Sequence, residues 1–272
     1  VALLGCCGLS SHSEPQFGYH SSVEIAYSRQ VTVALVQLPE PGKQGFPRTY
    51  CAGTWISDNA ILTAAHCVSD VPIGGTVDYA VYGDSDWGPG HVARVHTARG
   101  GKLFRIDIDK DLAVIRAVLG YPHPHAELSR SVEDGEHIMI VGHPVGFIWS
   151  QTDGYVNAIR WIDTASGKYE RFVQVAAAVY FGNSGGPALN SKGQIVGVCS
   201  FLIRGSGYSF FIHADEARAF LAGEICPKAL GRTDLPQYPY ACQKLENMIV
   251  QLQGGALQRP GHRGAPAAGE SG

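Results

Sequence analysis

Short runs of apolar or alternating apolar and polar residues follow one another along the chain from Val31 to about position 213. Clusters of Gly, Pro, Asp and Ser separate the runs, which are rich in the β-branched and aromatic residues that favour strands. In chain order the runs are VTVALVQL, AILTAAHC, YAVYG, LFRIDI, LAVIRAVL, HIMIVGH, YVNAIRWI, RFVQVAAA, QIVGVCSFL and YSFFI. Many short strands at such spacing predict an all-β protein built as an antiparallel barrel or sandwich.

Helical patterns come only late in the chain. DEARAFLAGE, residues 215–224, has acidic residues where a first helical turn would lie, and ACQKLENMIVQL, residues 241–252, has apolar positions that suit one helical face. The residues after these have little to bury and predict disorder. We therefore expect a leader or tether over residues 1–30, a strand-rich domain over 31–225, a helical extension over 226–253 and a disordered tail over 254–272.

Composition narrows the function classes. With 272 residues, 45% of them hydrophobic, the chain can bury the core of one large domain or two small ones. The formal net charge of -3, with no basic stripe, argues against nucleic acid as a partner. No run reaches the roughly 18 apolar residues that a membrane-spanning helix needs.

Seven cysteines indicate a chain that folds outside the cytoplasm, where cysteines oxidise in pairs. The metal-ligand spacings C-x-x-C and H-x-x-x-H are absent from the sequence, so we expect no metal and no cofactor. The stretch Leu3-Leu4-Gly5-Cys6 follows the pattern of a bacterial lipobox, in which Cys6 would carry a membrane-attaching lipid. Only five residues precede Cys6, fewer than a secretory signal requires, so either the given start is truncated or the pattern is accidental. Both interpretations stay open.

The stretch FGNSGGPAL, residues 181–189, allows three interpretations. A phosphate-binding loop would need a helix after the glycines, but Pro187 and a strand-like run follow instead. An elbow of the α/β-hydrolase type would need an acid and then a histidine downstream of Ser184, and only His213 and His262 lie there. The third interpretation takes the base and the acid from upstream.

Upstream, His66 follows an apolar run in ILTAAHCV, and Asp111 directly precedes the apolar run of DKDLAVIRA. Asp107 and Asp109 compete for the acid role, but only Asp111 adjoins the apolar run. A serine hydroxyl is a weak nucleophile that needs a base and a third group to orient that base. The order histidine, aspartate, serine is the one found on chymotrypsin-type double barrels. We therefore predict His66 as general base, Asp111 as its orienting acid and Ser184 as nucleophile.

Together, CAGTWISDNAILTAAHCV, DKDLAVIRA and FGNSGGPAL resemble the three signature segments of the trypsin-like serine peptidases, which have the chymotrypsin fold. VGHPVGF and SGYSFFI are similar to segments of the HtrA/DegP-like branch. The resemblance implies two six-stranded antiparallel β-barrels with a C-terminal helix, and an extracytoplasmic serine endopeptidase acting on polypeptides. A tight turn at Gly182 would aim the amides of Gly182 and Ser184 at one point as an oxyanion hole. The alternative is a non-catalytic binding module on the same fold. Too few residues follow the barrel region for a PDZ domain.

The resemblance also assigns cysteines. It pairs Cys51 with Cys67 as the disulfide of the histidine loop, and the spacing of Cys226 and Cys242 suits a second bridge. Cys199 would be buried and free.

Specificity follows from the same resemblance. The residue six before the serine, Ala178, would form the base of the substrate pocket, and the walls would be apolar or neutral. We therefore expect small to medium apolar P1 residues. The predicted wall residues are Ser200, Phe201, Leu202, Tyr208 and Phe210. At Asn183, many relatives have an aspartate that pairs with a newly released amino terminus, so we expect activity here without such a cleavage.

Overall fold

In the computed structural model, residues 21–87, 93–163, 168–203 and 205–222 are described. The first element is helix α1 (Ser22–Val31), which begins with a capping box: the Ser21 hydroxyl accepts from the Glu24 amide, and the Glu24 carboxylate accepts from the Ser21 amide. Ser28 and Val31 are buried against the domain. The expectation of a tether as far as residue 30 is therefore wrong for its last nine residues. Only weak amphipathicity marks this helix, but the S-x-x-E capping signature was present.

Eight strands follow in the first half of the chain. They are β1 (Thr32–Gln37), β2 (Arg48–Ser57), β3 (Ala60–Thr63), β4 (Thr76–Val81), β5 (Ser85–Trp87), β6 (Ala93–Val95), β7 (Arg99–Asp107) and β8 (Leu112–Arg116). Six of them close into an antiparallel barrel in the order β1-β2-β3-β8-β7-β4, while β5 and β6 form a separate hairpin. Alternate residues of β1, such as Val33 and Leu35, fill the barrel interior with Trp55 and Ile115.

Six more strands form the second half. They are β9 (His137–Gly142), β10 (Ser150–Asp163), β11 (Tyr169–Ala176), β12 (Pro187–Asn190), β13 (Ile195–Leu202) and β14 (Tyr208–His213). They close a second antiparallel barrel in the order β10-β11-β14-β13-β12-β9. Its interior holds Ile138, Val173, Cys199 and Phe211.

A shared apolar layer joins the two barrels. Leu62 and Leu112 of the first barrel pack with Val198 and Ile212 of the second, and the final helix α2 (Ala214–Ala222) adds Phe220. Because strands such as β8 face a barrel interior on one side and this junction on the other, they are apolar on both faces. The predicted fold of two six-stranded barrels with a C-terminal helix is confirmed.

His213 ends β14 just before α2. Its side chain is buried, and its Nδ1 accepts a hydrogen bond of 3.0 Å from the Asp215 amide, so the residue caps the helix but does not lie on the surface. Burial lowers the pKa of His213, which keeps the ring neutral and able to accept. No helix among the described residues is long and apolar enough to span a membrane.

Candidate active site

His66 lies in a short 3-10 turn, Ala65–Cys67, that follows β3. The turn is tied to the neighbouring strand β2 by the disulfide between Cys51 and Cys67, whose Cα atoms are 6.1 Å apart. This is the pairing that the resemblance implied. The strand end is fixed as well, because the Thr63 hydroxyl donates to the carbonyl of Ala52 over 2.7 Å.

Asp111 holds this turn from the loop between β7 and β8. Its carboxylate oxygens lie 3.0 and 2.9 Å from Nδ1 of His66, and Oδ1 also accepts from the His66 amide at 2.9 Å. The Asp111 carbonyl accepts from the Ala65 amide over 3.0 Å. Because an ionised carboxylate can only accept, Nδ1 must carry the proton, and the lone pair of the neutral ring lies on Nε2.

The electrostatics of this pair favour a basic imidazole. Burial alone would lower the pKa of His66, but the hydrogen bond and negative charge of Asp111 outweigh it, so the pKa lies above 6.5. The His66 side chain keeps 46% of its surface exposed, whereas Asp111 keeps 21%. The acid is therefore covered, and the base is open to a reactant.

A third group reaches the same carboxylate from the second barrel. The Ser200 hydroxyl on β13 donates to Oδ2 of Asp111 over 2.5 Å. The pocket-wall role that we predicted for Ser200 stays a prediction, and its hydroxyl bonds to the acid. A β-bulge between Cys199 and Phe201 gives Ser200 this direction, which strand alternation alone did not predict.

Ser184 lies beside the His66 turn, in the loop that leads into β12. Its carbonyl accepts from the Ala52 amide at 2.7 Å and lies 3.6 Å from Sγ of Cys67. At Gly185, where φ is +80°, a Cβ would clash with the Thr63 hydroxyl and the Ala52 carbonyl. The close approach of the serine loop to the first barrel thus requires glycine at this position.

The backbone of the serine loop leaves two donors unused. Gly182 has φ of +103°, and a Cβ there would clash with the His143 carbonyl. Within the described part of the chain, the amides of Gly182 and Ser184 donate to no protein acceptor, whereas the intervening Asn183 amide donates to Tyr180. These are the two amides that the sequence predicted for an oxyanion hole.

Asn183 has a buried side chain directed at the end of β9. Its Oδ1 lacks a hydrogen-bond partner among the described residues and lies so close to Gly142 that a Cβ there would clash. A carboxylate in the same place would be a buried charge without a counter-ion, which is far more costly than an amide. Asparagine therefore suits the site as it stands.

The predicted pocket residues are brought only partly together. Ala178 is exposed just after β11, and Tyr208 on β14 is 40% exposed. Phe201 and Phe210 stack face to face with centroids 4.7 Å apart, and Phe210 is buried in the layer between the barrels. Its neighbour in the strand, Phe211, takes the face toward the barrel interior, and the pocket role of Phe210 stays a prediction.

The remaining cysteine predictions fall partly inside and partly outside the described residues. Cys199 is buried and free, as expected, and burial raises the pKa of its thiol to about 12, so it is unreactive. Cys6, Cys226 and Cys242 lie outside the described residues. One cluster of metal-ligating residue types occurs in the described ranges, formed by Cys51, His66 and Cys67. Both of its sulfurs belong to the disulfide and offer no thiolate.

Comparisons with known proteins agree with this geometry. The family model described as a trypsin-like peptidase domain matches residues 51–198. A putative protease Do-like 14 of Arabidopsis thaliana is 28% identical over 258 residues, which cover 88% of this chain and 56% of the relative. A probable periplasmic serine endoprotease, DegP-like, of Bartonella henselae is 32% identical over 164 residues, covering 59% and 29%. The chain thus spans about half or less of the length of these relatives.

A solved structure shares the fold. The active form of the Rv3671c protease of M. tuberculosis superposes with a TM-score of 0.57 at 20% identity, covering 73% of this chain and 82% of the other. That likeness concerns the two-barrel architecture, while the family model spans the segments that carry His66, Asp111 and Ser184. The chain therefore belongs to the family of trypsin-like peptidase domains, with relatives among the DegP-like serine proteases.

Proposed function

We propose that the protein is a serine endopeptidase that cleaves polypeptides through an acyl-enzyme on Ser184. The observation that carries the proposal is the paired contact of the Asp111 carboxylate with Nδ1 of His66, beside the loop that bears Ser184. This contact fixes the tautomer in which Nε2 can accept the serine proton. Family membership gives the reaction class, and the residue roles below are part of the proposal.

In the first half of the reaction, the Ser184 hydroxyl attacks the peptide carbonyl while His66 takes its proton. The imidazolium that forms is stabilised by Asp111, which stays ionised. His66 then gives the proton to the leaving amine, which departs and leaves the acyl group on the serine. Water, activated by the same histidine, completes the hydrolysis and restores the hydroxyl.

The unused amides of Gly182 and Ser184 would receive the negative charge that develops on the carbonyl oxygen. Each such donor contributes about 2.7 to 4 kcal/mol to transition-state stabilisation in sites of this kind. The uncharged Asn183 side chain supports a loop that needs no amino-terminal ion pair to reach this conformation. We infer that the enzyme works without a cleavage that releases a new terminus.

For specificity, we keep the proposal of a small to medium apolar P1 residue. Ala178 at the predicted pocket base adds no charge, and the exposed edges of Phe201 and Tyr208 are the apolar or weakly polar surfaces nearby along β13 and β14. Ser200 and Phe210 make further contacts, with Asp111 and Phe201, and their part in the pocket wall stays a prediction.

An extracytoplasmic location is the second part of the proposal. The disulfide between Cys51 and Cys67 needs an oxidising compartment to persist, and the DegP-like relative is described as periplasmic. Lipid attachment through Cys6 stays a prediction from the sequence.

The decisive test is labelling with a fluorophosphonate, which reacts covalently with an activated serine. Wild-type protein should label and Ser184→Ala should not, while Ser191→Ala, an exposed turn serine, should label like the wild type. The labelling rate should rise with pH through a midpoint above 6.5, because protonated His66 cannot accept the serine proton and its pKa is raised.

Equal labelling of the wild type and Ser184→Ala would refute the nucleophile. An unlabelled wild type whose disulfide is intact would instead favour the binding module. A labelling rate that is flat from acid to neutral pH would contradict His66 as the base.

A further inference from the structure

A second cluster of charged side chains lies next to the Asp111 turn. The ammonium group of Lys110, the residue immediately before Asp111, lies 3.0 Å from a carboxylate oxygen of Glu170 and 2.8 Å from one of Glu216. Only 14%, 6% and 12% of these three side chains are exposed. The contacts join the β7–β8 turn of the first barrel to β11 of the second barrel and to α2.

Protonation makes this arrangement of charges tolerable in a covered site. Burial and a hydrogen bond to Glu216 raise the pKa of Glu170, Lys110 opposes the rise, and the resulting pKa is about 7. Burial also works against the charge of Lys110, but its hydrogen bonds to the two carboxylates keep its pKa raised. Near neutral pH, Glu170 can therefore hold a proton shared with Glu216, which leaves about one negative charge opposite the ammonium.

Other charged groups surround the cluster. Arg171 of β11 lies 3.6 Å from Glu216 and 2.7 Å from Asp215, which also pairs with Arg218 on α2. These two arginines belong to β11 and α2, and they pair with Asp215 and Glu216. Lys110 is the cation that the first barrel contributes to the covered pair of glutamates.

The backbone of the turn explains why such an anchor matters. Asp111 has φ of +54°, a left-handed conformation that costs free energy for a residue other than glycine and persists only where its surroundings enforce it. Within the turn, the Asp111 amide has a long bond of 3.3 Å to the Ile108 carbonyl, and the Lys110 amide donates to Asp107 over 3.0 Å. Outside the turn, Lys110 bonds to Glu170 and Glu216, whereas Asp111 bonds to His66.

We propose that Lys110 is a positioning residue for the active site: its clamp on Glu170 and Glu216 holds the turn that presents Asp111 to His66. The proposal rests on the function proposed above. In this proposal, α2 and β11 help to set the geometry of Asp111 and His66, although they contribute none of the three predicted catalytic side chains.

The test replaces Lys110 by Met, which keeps the length of the side chain but removes its charge. Lys102→Met, an exposed lysine on β7 bonded to Thr76, is the matched control. Because Lys110→Met removes the cation paired with Glu170 and leaves Glu216 with Arg171 at 3.6 Å, a triple variant that adds Glu170→Gln and Glu216→Gln removes the charges of the cluster together. Lys110→Arg tests rescue.

The readouts are kcat and KM for a peptide, and the pKa of His66 by NMR in a Ser184→Ala background. For both Lys110→Met and the triple variant we expect kcat to fall about tenfold with KM unchanged, and in Lys110→Met we expect the pKa of His66 to fall as Asp111 loses its fixed position. Lys110→Arg should restore most of kcat, and Lys102→Met should match the wild type.

The direction of the pKa change separates positioning from simple charge. In Lys110→Met, removing the positive charge without moving Asp111 would raise the pKa of His66. The triple variant removes charges of both signs, so its diagnostic readout is kcat. A rise, or an unchanged pKa and kcat with only a lower melting temperature, would overturn the proposal. A wild type that fails to label with fluorophosphonate would refute the proposed function, whereas the pKa of His66 in Lys110→Met would still decide whether Lys110 positions Asp111.

Discussion

Two histidines in similar places of the two barrels have opposite environments. His66 follows β3 in a 3-10 turn of the first barrel, and His143 follows β9 immediately before a 3-10 turn of the second. The partner of His66 is the Asp111 carboxylate, and nearly half of its side chain is exposed. His143 is fully buried, where Nε2 donates to the Val33 carbonyl at 3.2 Å and Nδ1 accepts from the Trp149 amide at 3.0 Å.

The pKa values follow from these partners. Burial lowers the pKa of His143 to about 4, and its bond to a neutral carbonyl recovers little of the loss. Burial acts on His66 in the same direction, but the adjacent carboxylate reverses the result. Burial with neutral backbone partners therefore gives a permanently neutral, structural histidine. A carboxylate partner and one open face give a histidine that can exchange a proton with a reactant.

The largest expected effect comes from removing that difference. Asp111→Asn keeps the shape of the side chain but replaces the carboxylate by an amide, which favours the wrong tautomer of His66. We expect kcat for peptide hydrolysis to fall about 10⁴-fold. The pKa of His66 should fall below 6.5, toward the behaviour of His143, because only the effect of burial remains. Steady-state kinetics and histidine NMR would measure both changes.

Asp109→Asn is the matched control for this variant, since Asp109 was a rival candidate for the acid in the sequence. It should keep kcat within a few-fold of the wild type, as expected for a residue outside the proposed triad. If Asp109→Asn lost activity and Asp111→Asn kept it, the assignment of the acid would be wrong.

The second prediction concerns stability and tests His143. Its folded pKa lies below the unfolded value of 6.5, so the unfolded chain binds more protons and the contribution of His143 to stability is lost as pH falls below about 6.5. A pKa near 4 implies that this residue alone costs about 2 kcal/mol of unfolding free energy between pH 7 and pH 5. Urea unfolding at both pH values would measure the loss.

His143→Gln can keep one donor and one acceptor but cannot titrate. We expect it to lose less unfolding free energy than the wild type over the same pH range, by about the 2 kcal/mol assigned to His143. The comparison with the wild type at each pH cancels groups that titrate alike in both proteins. Identical pH dependence in the two proteins would show that His143 is not held neutral by the fold.

Much of the fold could be predicted because most strands carry a local signal. The ten apolar or alternating runs all contain barrel strands, and the number and closure of the strands followed from the family resemblance. β12 was not among the runs because its four residues follow directly on the glycines of FGNSGGPAL, which we interpreted as a motif and not as a strand. β2 was not among the runs either, although it lies in a signature segment. Helix α1 was not predicted because only three or four of its side chains pack inward.

The site was predictable where one residue type carries one role, and unpredictable where two distant segments meet. His66, Asp111 and Ser184 lie in separate short segments whose order and spacing are informative. The contacts of Lys110 with Glu170 and Glu216 span 60 and 106 residues, and no local sequence pattern predicts them. The contact of Ser200 with Asp111 was not predicted because a bulge, which the sequence does not mark, changes the alternation of β13.

The smallest expected effect on kcat is that of Ser200→Ala. The Ser200 hydroxyl donates to Asp111 over 2.5 Å, so this variant also tests the environment of His66. In Ser200→Ala the carboxylate keeps both bonds from His66 but loses a donor that disperses its charge, so the pKa of His66 should rise, opposite to Asp111→Asn. We expect kcat to fall about tenfold, the lower end for the loss of one hydrogen bond to a charged group. Kinetics and histidine NMR would measure both, with the exposed Ser206→Ala as the unchanged control. A fall in the pKa of His66 would mean that Ser200 fixes the position of the Asp111 carboxylate rather than its charge. Residues of both barrels would then hold in place the group that pairs with His66.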